Sequence, residues 1–380
     1  MALAPKQLAG TLLFIGTAQL MIFIIIAQAL YPGYSISNNY ISDLGVGPTA
    51  MLFNTSALLC GILILASAYF CFEAFNDKIF SILLGIAGLG VAGVGLFPET
   101  MLSLHIPFAL LAFAIGPIAI FASHRVTKPP FSYLSMILGA FALLALALLH
   151  FRILFGIGVG GMERMIAYPI LIWGAGMGGY LMSPGKQLTR LRSRGISHQT
   201  LIGSLIIIGA IQFALLIIVA QALYAGYSIP NNYISDLGMG PTGLLFNSSV
   251  ALFGWLVIFA AFLSFRAFRD ALFSTVLSLA GLGAVITGWF TETFHYMHGV
   301  AAFLVFFFAP VTSFAVARIA KPPFIYLSAA LGLLTLSCMV LYSLGIFLGL
   351  GYGGIETLIV YPVTIWATSL GGYFLAVPEK

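Results

Sequence analysis

Long apolar runs separated by short polar gaps repeat from one end of the chain to the other, as in GTLLFIGTAQLMIFIIIAQAL, Gly10 to Leu30. A helix needs roughly 20 apolar residues to cross about 30 Å of hydrocarbon, and these runs supply them. The alternation of a half-buried strand is absent, so the runs predict helices. In the first half they predict spans over residues 9–30, 49–71, 79–97, 101–123, 131–154 and 163–182. Gly47-Pro48 suits the start of the second span, where a proline forfeits no needed hydrogen bond. Pro169 and Pro362 fall inside the sixth span of each half and predict a matched kink.

The same rhythm is written twice. At an offset of 193 residues, Gln28–Ser56 aligns with Gln221–Ser249, with 23 of 29 positions identical. Phe97, Glu99 and His105 fall on Phe290, Glu292 and His298, and GGMERMIAYP at Gly160 falls on GGIETLIVYP at Gly353. A repeat of this length, read before anything else, fixes the architecture. It is an all-α integral membrane protein whose expected repeats are residues 1–187 and 188–380, with six helices each and twelve in all. An even number of spans gives both repeats the same orientation, which predicts a pseudo-two-fold axis along the membrane normal.

Composition agrees, with 61% hydrophobic and 7% charged residues, where a soluble domain carries about a quarter charged. The first run lacks the basic flank and small-residue cleavage site of a signal peptide, so it is read as a retained span. Cys60, Cys71 and Cys338 have no counterparts across the repeat, which argues against a disulfide framework or a cysteine metal site. The net charge of +5 comes from basic residues in the polar gaps, which points to a membrane orientation signal and not to nucleic acid.

With both termini in the cytosol, thirteen of the fifteen Lys and Arg lie inside, and Arg152 and Arg164 lie outside. The positive-inside rule selects this orientation, that of a multi-pass plasma-membrane protein. The linker Ser183 to Gln199 is then a basic cytosolic strap attractive to anionic lipid headgroups.

That orientation carries Asp43, Glu99, Glu163 and their counterparts Asp236, Glu292 and Glu356 to the outer face. His105 and His298 join them just inside the fourth span of each repeat. The inner-face acids, Glu73, Asp77, Asp270 and Glu379, are read as unmatched. The outer groups have ordinary structural uses: an Asx-type turn or a helix cap for Asp43 and helix-start carboxylates for Glu99 and Glu163. The histidines are harder to assign to structure, because ionisable groups within spans mark function by default. Asn39 and Asn232 either line a polar pocket or bond their loop.

Carboxylates with an imidazole suit a divalent cation at His105 or His298, or proton movement, although no short-range metal motif is present. Haem between the two histidines lacks an attachment motif. The glycines at positions 85, 88, 90, 93 and 95 of the third span read as close helix packing, and the sequons at Asn54 and Asn247 read as accidental.

The segments YPGYSISNNYISDLG, LFN and FPET, the single His and the ME before the sixth span resemble domain-of-unknown-function family 998. That family comprises prokaryotic six-helix membrane proteins. The resemblance runs once through each repeat, with Ala225 and Thr291 standing where the first copy has Pro32 and Pro98. The chain is more distantly similar to DRAM-like proteins and a lipid-anchor-remodelling Golgi factor. This implies lipid-related work at a membrane face and assigns no catalytic residue.

The leading expectation is therefore a protein that binds or processes a lipid or other amphiphile at an outward polar site built from Asp43, Glu99, His105, Glu163 and their counterparts. A proton-coupled secondary transporter and a structural subunit of a membrane complex, or a homo-oligomer, are the alternatives.

Overall fold

The computed structural model describes residues 3–184 and 197–376. Among them are twelve helices long and apolar enough to cross a membrane, and no strand. The chain forms two compact units, one of Met1–Met182 with Ala225–Ser228 and the other of Ser183–Tyr224 with Ile229–Lys380. The expected repeat boundary at 187/188 and most of the basic strap lie outside the described residues, as do Glu379 and Lys380.

The first unit contains α1 (Pro5–Leu30), α2 (Ala50–Phe75), α3 (Lys78–Leu96), α4 (Leu102–Leu110), α5 (Gly116–Ala122), α6 (Phe131–His150) and α7 (Gly158–Met182). The second contains α8 (His198–Leu223), α9 (Gly243–Phe268), α10 (Ala271–Trp289), α11 (His295–Ala315), α12 (Phe324–Ser343) and α13 (Gly351–Leu375). The sixth spans are the most buried of the spanning helices. Over its most apolar window α7 is 94% buried, and α13 is 89% buried, against 33% for α2 and α6.

The fourth span differs between the units. In the first it is a 3-10 turn, α4, a π turn at Leu111–Ile115, α5 and a second 3-10 turn, whereas α11 runs unbroken. The first unit has Pro107 and Pro117 in this span, and the second has only Pro310. Each proline removes a helix donor, and two of them bracketing one stretch force the local widening that one alone does not.

Four of the five glycines of α3 pack closely as expected, whereas a methyl group at Gly85 would meet only the Ala68 Cβ at 3.7 Å. A methyl group at Gly90 would lie 2.5 Å from the Ala112 amide nitrogen, and one at Gly93 would meet the Phe108 ring at 2.1 Å. These positions let the fourth span lie directly against α3.

Hydrogen bonds place the connections of the first unit at two ends. Ser42 in the α1–α2 loop bonds Glu99 before α4, and Ile41 bonds Glu163 on α7, so these three connections share one end. At the other end Asp77 caps α3 by accepting from the Phe80 amide at 2.9 Å and pairs with Arg125 at 2.8 Å. Asp270 repeats this with Phe273 and Arg318 at 2.9 and 2.6 Å.

Asp77 and Asp270 are 193 residues apart, so the reading that only outer-face acids are matched is corrected. Helix capping required the same residue at both places. Partial burial raises the Asp77 carboxyl, but the Phe80 amide and Arg125 outweigh it and hold it below its ordinary value. Its contribution is therefore present above the ordinary carboxylate range and is lost as pH falls through the lowered value. Replacing Asp77 or Asp270 with alanine is expected to cost about 1 kcal/mol in unfolding measurements near neutral pH, with the exposed ion pair adding little. The difference should shrink at acid pH.

Candidate functional site

The loop Tyr31–Thr49 carries the phrase NNYISDLG and folds back over the start of α7. Asp43 does not cap a helix; its Oδ2 accepts from Asn39 Nδ2 at 2.9 Å and from the Tyr40 amide at 3.0 Å. In the second unit Asp236 accepts from Asn232 at 3.0 Å and Tyr233 at 2.9 Å. These four residues set the loop's shape, which leaves the Ile41 and Ile234 amides facing the sixth span.

There they meet Glu163 and Glu356. Glu163 Oε2 accepts from the Ile41 amide, and Glu356 Oε2 accepts from the Ile234 amide at 2.5 Å. The helix-start reading of these glutamates is corrected, because α7 begins at Gly158 and α13 at Gly351, with no acid in the first turn of either. A glycine-rich segment looks like a loop in sequence, yet here the glycines are helical because the loop backbone lies on them. Glu99 and Glu292 each accept from a loop hydroxyl, that of Ser42 and Ser235. His105 Nδ1 donates to the Phe97 carbonyl at 2.7 Å, and His298 Nδ1 to Phe290 at 2.8 Å. A carbonyl only accepts, so Nδ1 carries a proton in each ring.

Beneath this roof each unit has a partly open cavity. In the first it measures ≈ 260 Å³, with Tyr40, Ser42, Glu99, His105 and Glu163 at one end and side chains such as Ile24, Phe53 and Phe113 along its walls. In the second it measures ≈ 120 Å³ and meets Ser235, His298 and Glu356. Of the ten candidate residues, Glu99, His105, Glu163, His298 and Glu356 border a cavity. Asp43, Asn39, Asp236, Asn232 and Glu292 support the roof from behind. Among the described residues no three His, Cys, Asp or Glu side chains gather in a way that could hold a metal ion.

Arg164 was counted in the sequence only as an external charge, but its side chain is 1% exposed. Nη1 donates to the carbonyls of Ile36, Asn39 and Gly160 at 3.0, 3.0 and 2.8 Å, and Nη2 donates to Tyr34 Oη at 2.5 Å. The second unit has Thr357 there, bonded to its own helix at Gly353. Around its loop it has aromatic rings instead. Tyr233 lies 4.6 Å from Tyr352 and 6.3 Å from Tyr342, positions that are Val159 and Leu149 in the first unit. An arginine one residue from a carboxylate inside an apolar run was the available signal for this anchor.

Fold and cavities together define a polytopic membrane protein made of two six-helix units, each with a polar-roofed apolar chamber. Its membrane-spanning helices contact lipid. Residues 14–179 and 207–373 match the family described as Protein of unknown function (DUF998), and the chain belongs to that family as a tandem duplication. No curated protein and no solved structure matches it.

Proposed function

We propose that each unit binds a lipid or other amphiphile, with its head beneath the loop roof and its chain in the apolar cavity. The carrying observation is the shape of the first unit's cavity, which has carboxylates and an imidazole at one end and hydrocarbon walls elsewhere. Mostly apolar chambers with a few convergent polar groups are the usual form of a ligand site. The roof offers two carboxylate acceptors, Glu99 and Glu163. That chemistry favours a head that donates hydrogen bonds, an amine or a hydroxyl, over a phosphate or carboxylate. The excess of Lys and Arg in the opposite gaps supports a plasma-membrane orientation with the roof outside and both termini in the cytoplasm.

Gentle purification followed by mass spectrometry is expected to find co-purified lipid. A long-chain primary amine should bind better than a carboxylate of equal length. Glu163→Gln together with Glu356→Gln should weaken amine binding by about tenfold or more, the scale of a lost charge-assisted hydrogen bond. Glutamine keeps an acceptor for the loop amide, so the fold should survive. Equal binding of amine and carboxylate, or undiminished binding by the double variant, would sink the reading.

A further inference from the structure

The two chambers differ in depth and in polarity. Trp173 in the first unit donates its indole N–H to Ser135 Oγ at 3.0 Å. Both serines donate to their own helix, Ser135 to the Phe131 carbonyl at 3.0 Å and its match Ser328 to the Phe324 carbonyl at 2.9 Å, but Ser328 accepts no indole N–H. Trp366 is left with an indole nitrogen that has no hydrogen-bond partner in the protein, although the side chain is only 3% exposed. That side chain lines the second unit's cavity, the same cavity that Glu356 and His298 border. Trp366 lies ten residues beyond Glu356 on α13, about 15 Å deeper along the helix axis.

Other substitutions add polarity to this cavity. Thr287, Thr312 and Thr364 line it where the first unit has Val94, Ala119 and Leu171. Thr312 and Thr364 bond back to their own helices at 2.7 and 2.9 Å. The Thr287 hydroxyl, near the roof, has no partner. Leaving a buried donor unpaired is unfavourable, and such groups in native proteins call for a partner. Hydrocarbon cannot supply one.

We infer that the second unit's chamber accepts an amphiphile whose chain carries a hydrogen-bond acceptor, such as a keto, ester or ether oxygen, and that Trp366 Nε1 donates to it. This rests on the amphiphile reading above and adds a chemical preference that the first unit lacks. The two sites of one chain then select different ligands of one class: a plain chain in the first and an oxygenated chain in the second.

The test uses the full chain in detergent and two long-chain primary amines of equal length, one with a plain chain and one with a keto group near mid-chain. Binding is read by native mass spectrometry, which separates one bound molecule from two. The keto amine should bind more tightly at one of the two sites by about threefold to tenfold, the range of one hydrogen bond. Trp366→Phe keeps an aromatic ring and removes the donor. It should abolish that preference while leaving plain-amine binding in place, and Trp173→Phe should leave the preference intact. A keto amine no tighter than the plain one, or a preference that survives Trp366→Phe, would overturn the inference alone. If neither amine binds, the amphiphile reading falls and takes this inference with it.

Discussion

Replacing Arg164 with methionine is expected to destabilise the first unit by about 3 kcal/mol, whereas Thr357→Val at the matching position should cost under about 1 kcal/mol. Methionine fills much of the same space, so lost packing is not the main effect. What is lost is the donor set for the Ile36 and Asn39 carbonyls and the Tyr34 hydroxyl, which remain behind in a site closed to water. Removing one side of a buried charged network costs far more than replacing the whole network with apolar groups. Thr357 bonds only within its own helix, and valine preserves its shape. Thermal or denaturant unfolding in detergent measures both variants, and similar small shifts for the two would show that Arg164 does not anchor the loop.

A single methyl group at Gly160 or Gly353 should detach the roof. An added Cβ at Gly160 would lie 2.1 Å from the Asn39 carbonyl oxygen and 2.6 Å from that of Ile36. At Gly353 the corresponding oxygens, those of Asn232 and Ile229, would be 2.0 and 2.4 Å away. These are backbone atoms, so no rotamer change relieves the clash and the loop itself must retreat. The Ile41 and Ile234 amides would then leave Glu163 and Glu356. Gly160→Ala and Gly353→Ala are each expected to cost about 3 kcal/mol, the upper range for overpacking, and to speed hydrogen exchange at the Ile41 or Ile234 amide. Gly299→Ala is the control. Nothing lies within 4 Å of its added Cβ, and alanine there is neutral or favours the helix. Unchanged exchange in the Gly160 variant would show that the loop does not rest on that glycine.

Much of the fold was legible because its cause is local. Crossing hydrocarbon demands long apolar helices whatever their neighbours, so the number of spans could be read from run lengths. The offset of 193 residues gave the two units from identity alone. Four of the five glycines of α3 were read correctly, because in an apolar span small residues have few other uses.

Of the candidate site, only part of the cavity lining was legible. Matched polar residues pointed to Glu99, His105, Glu163, His298 and Glu356, which do border the cavities. The roles assigned to several residues did not hold. Glu163 looked like a helix-start carboxylate because Gly158–Gly161 looked like loop, and Asp43 looked like a cap because it follows a serine in a turn. In each case the true partner is an amide or side chain whose position depends on how the loop folds. For Glu163 that partner is 122 residues away in sequence.

The sequence by itself determined that this is a duplicated six-helix membrane protein with matched histidines and acids in each copy, because hydropathy and repetition are properties of the chain as a string. Only the tertiary structure decided which of those groups face a chamber and which brace its roof, that Arg164 is a buried anchor, and that Trp366 is left without the partner Trp173 has. Those outcomes turn on ångström-scale distances between segments far apart in the chain, and a one-residue change such as Arg164 to Thr357 alters them while leaving the apolar rhythm intact.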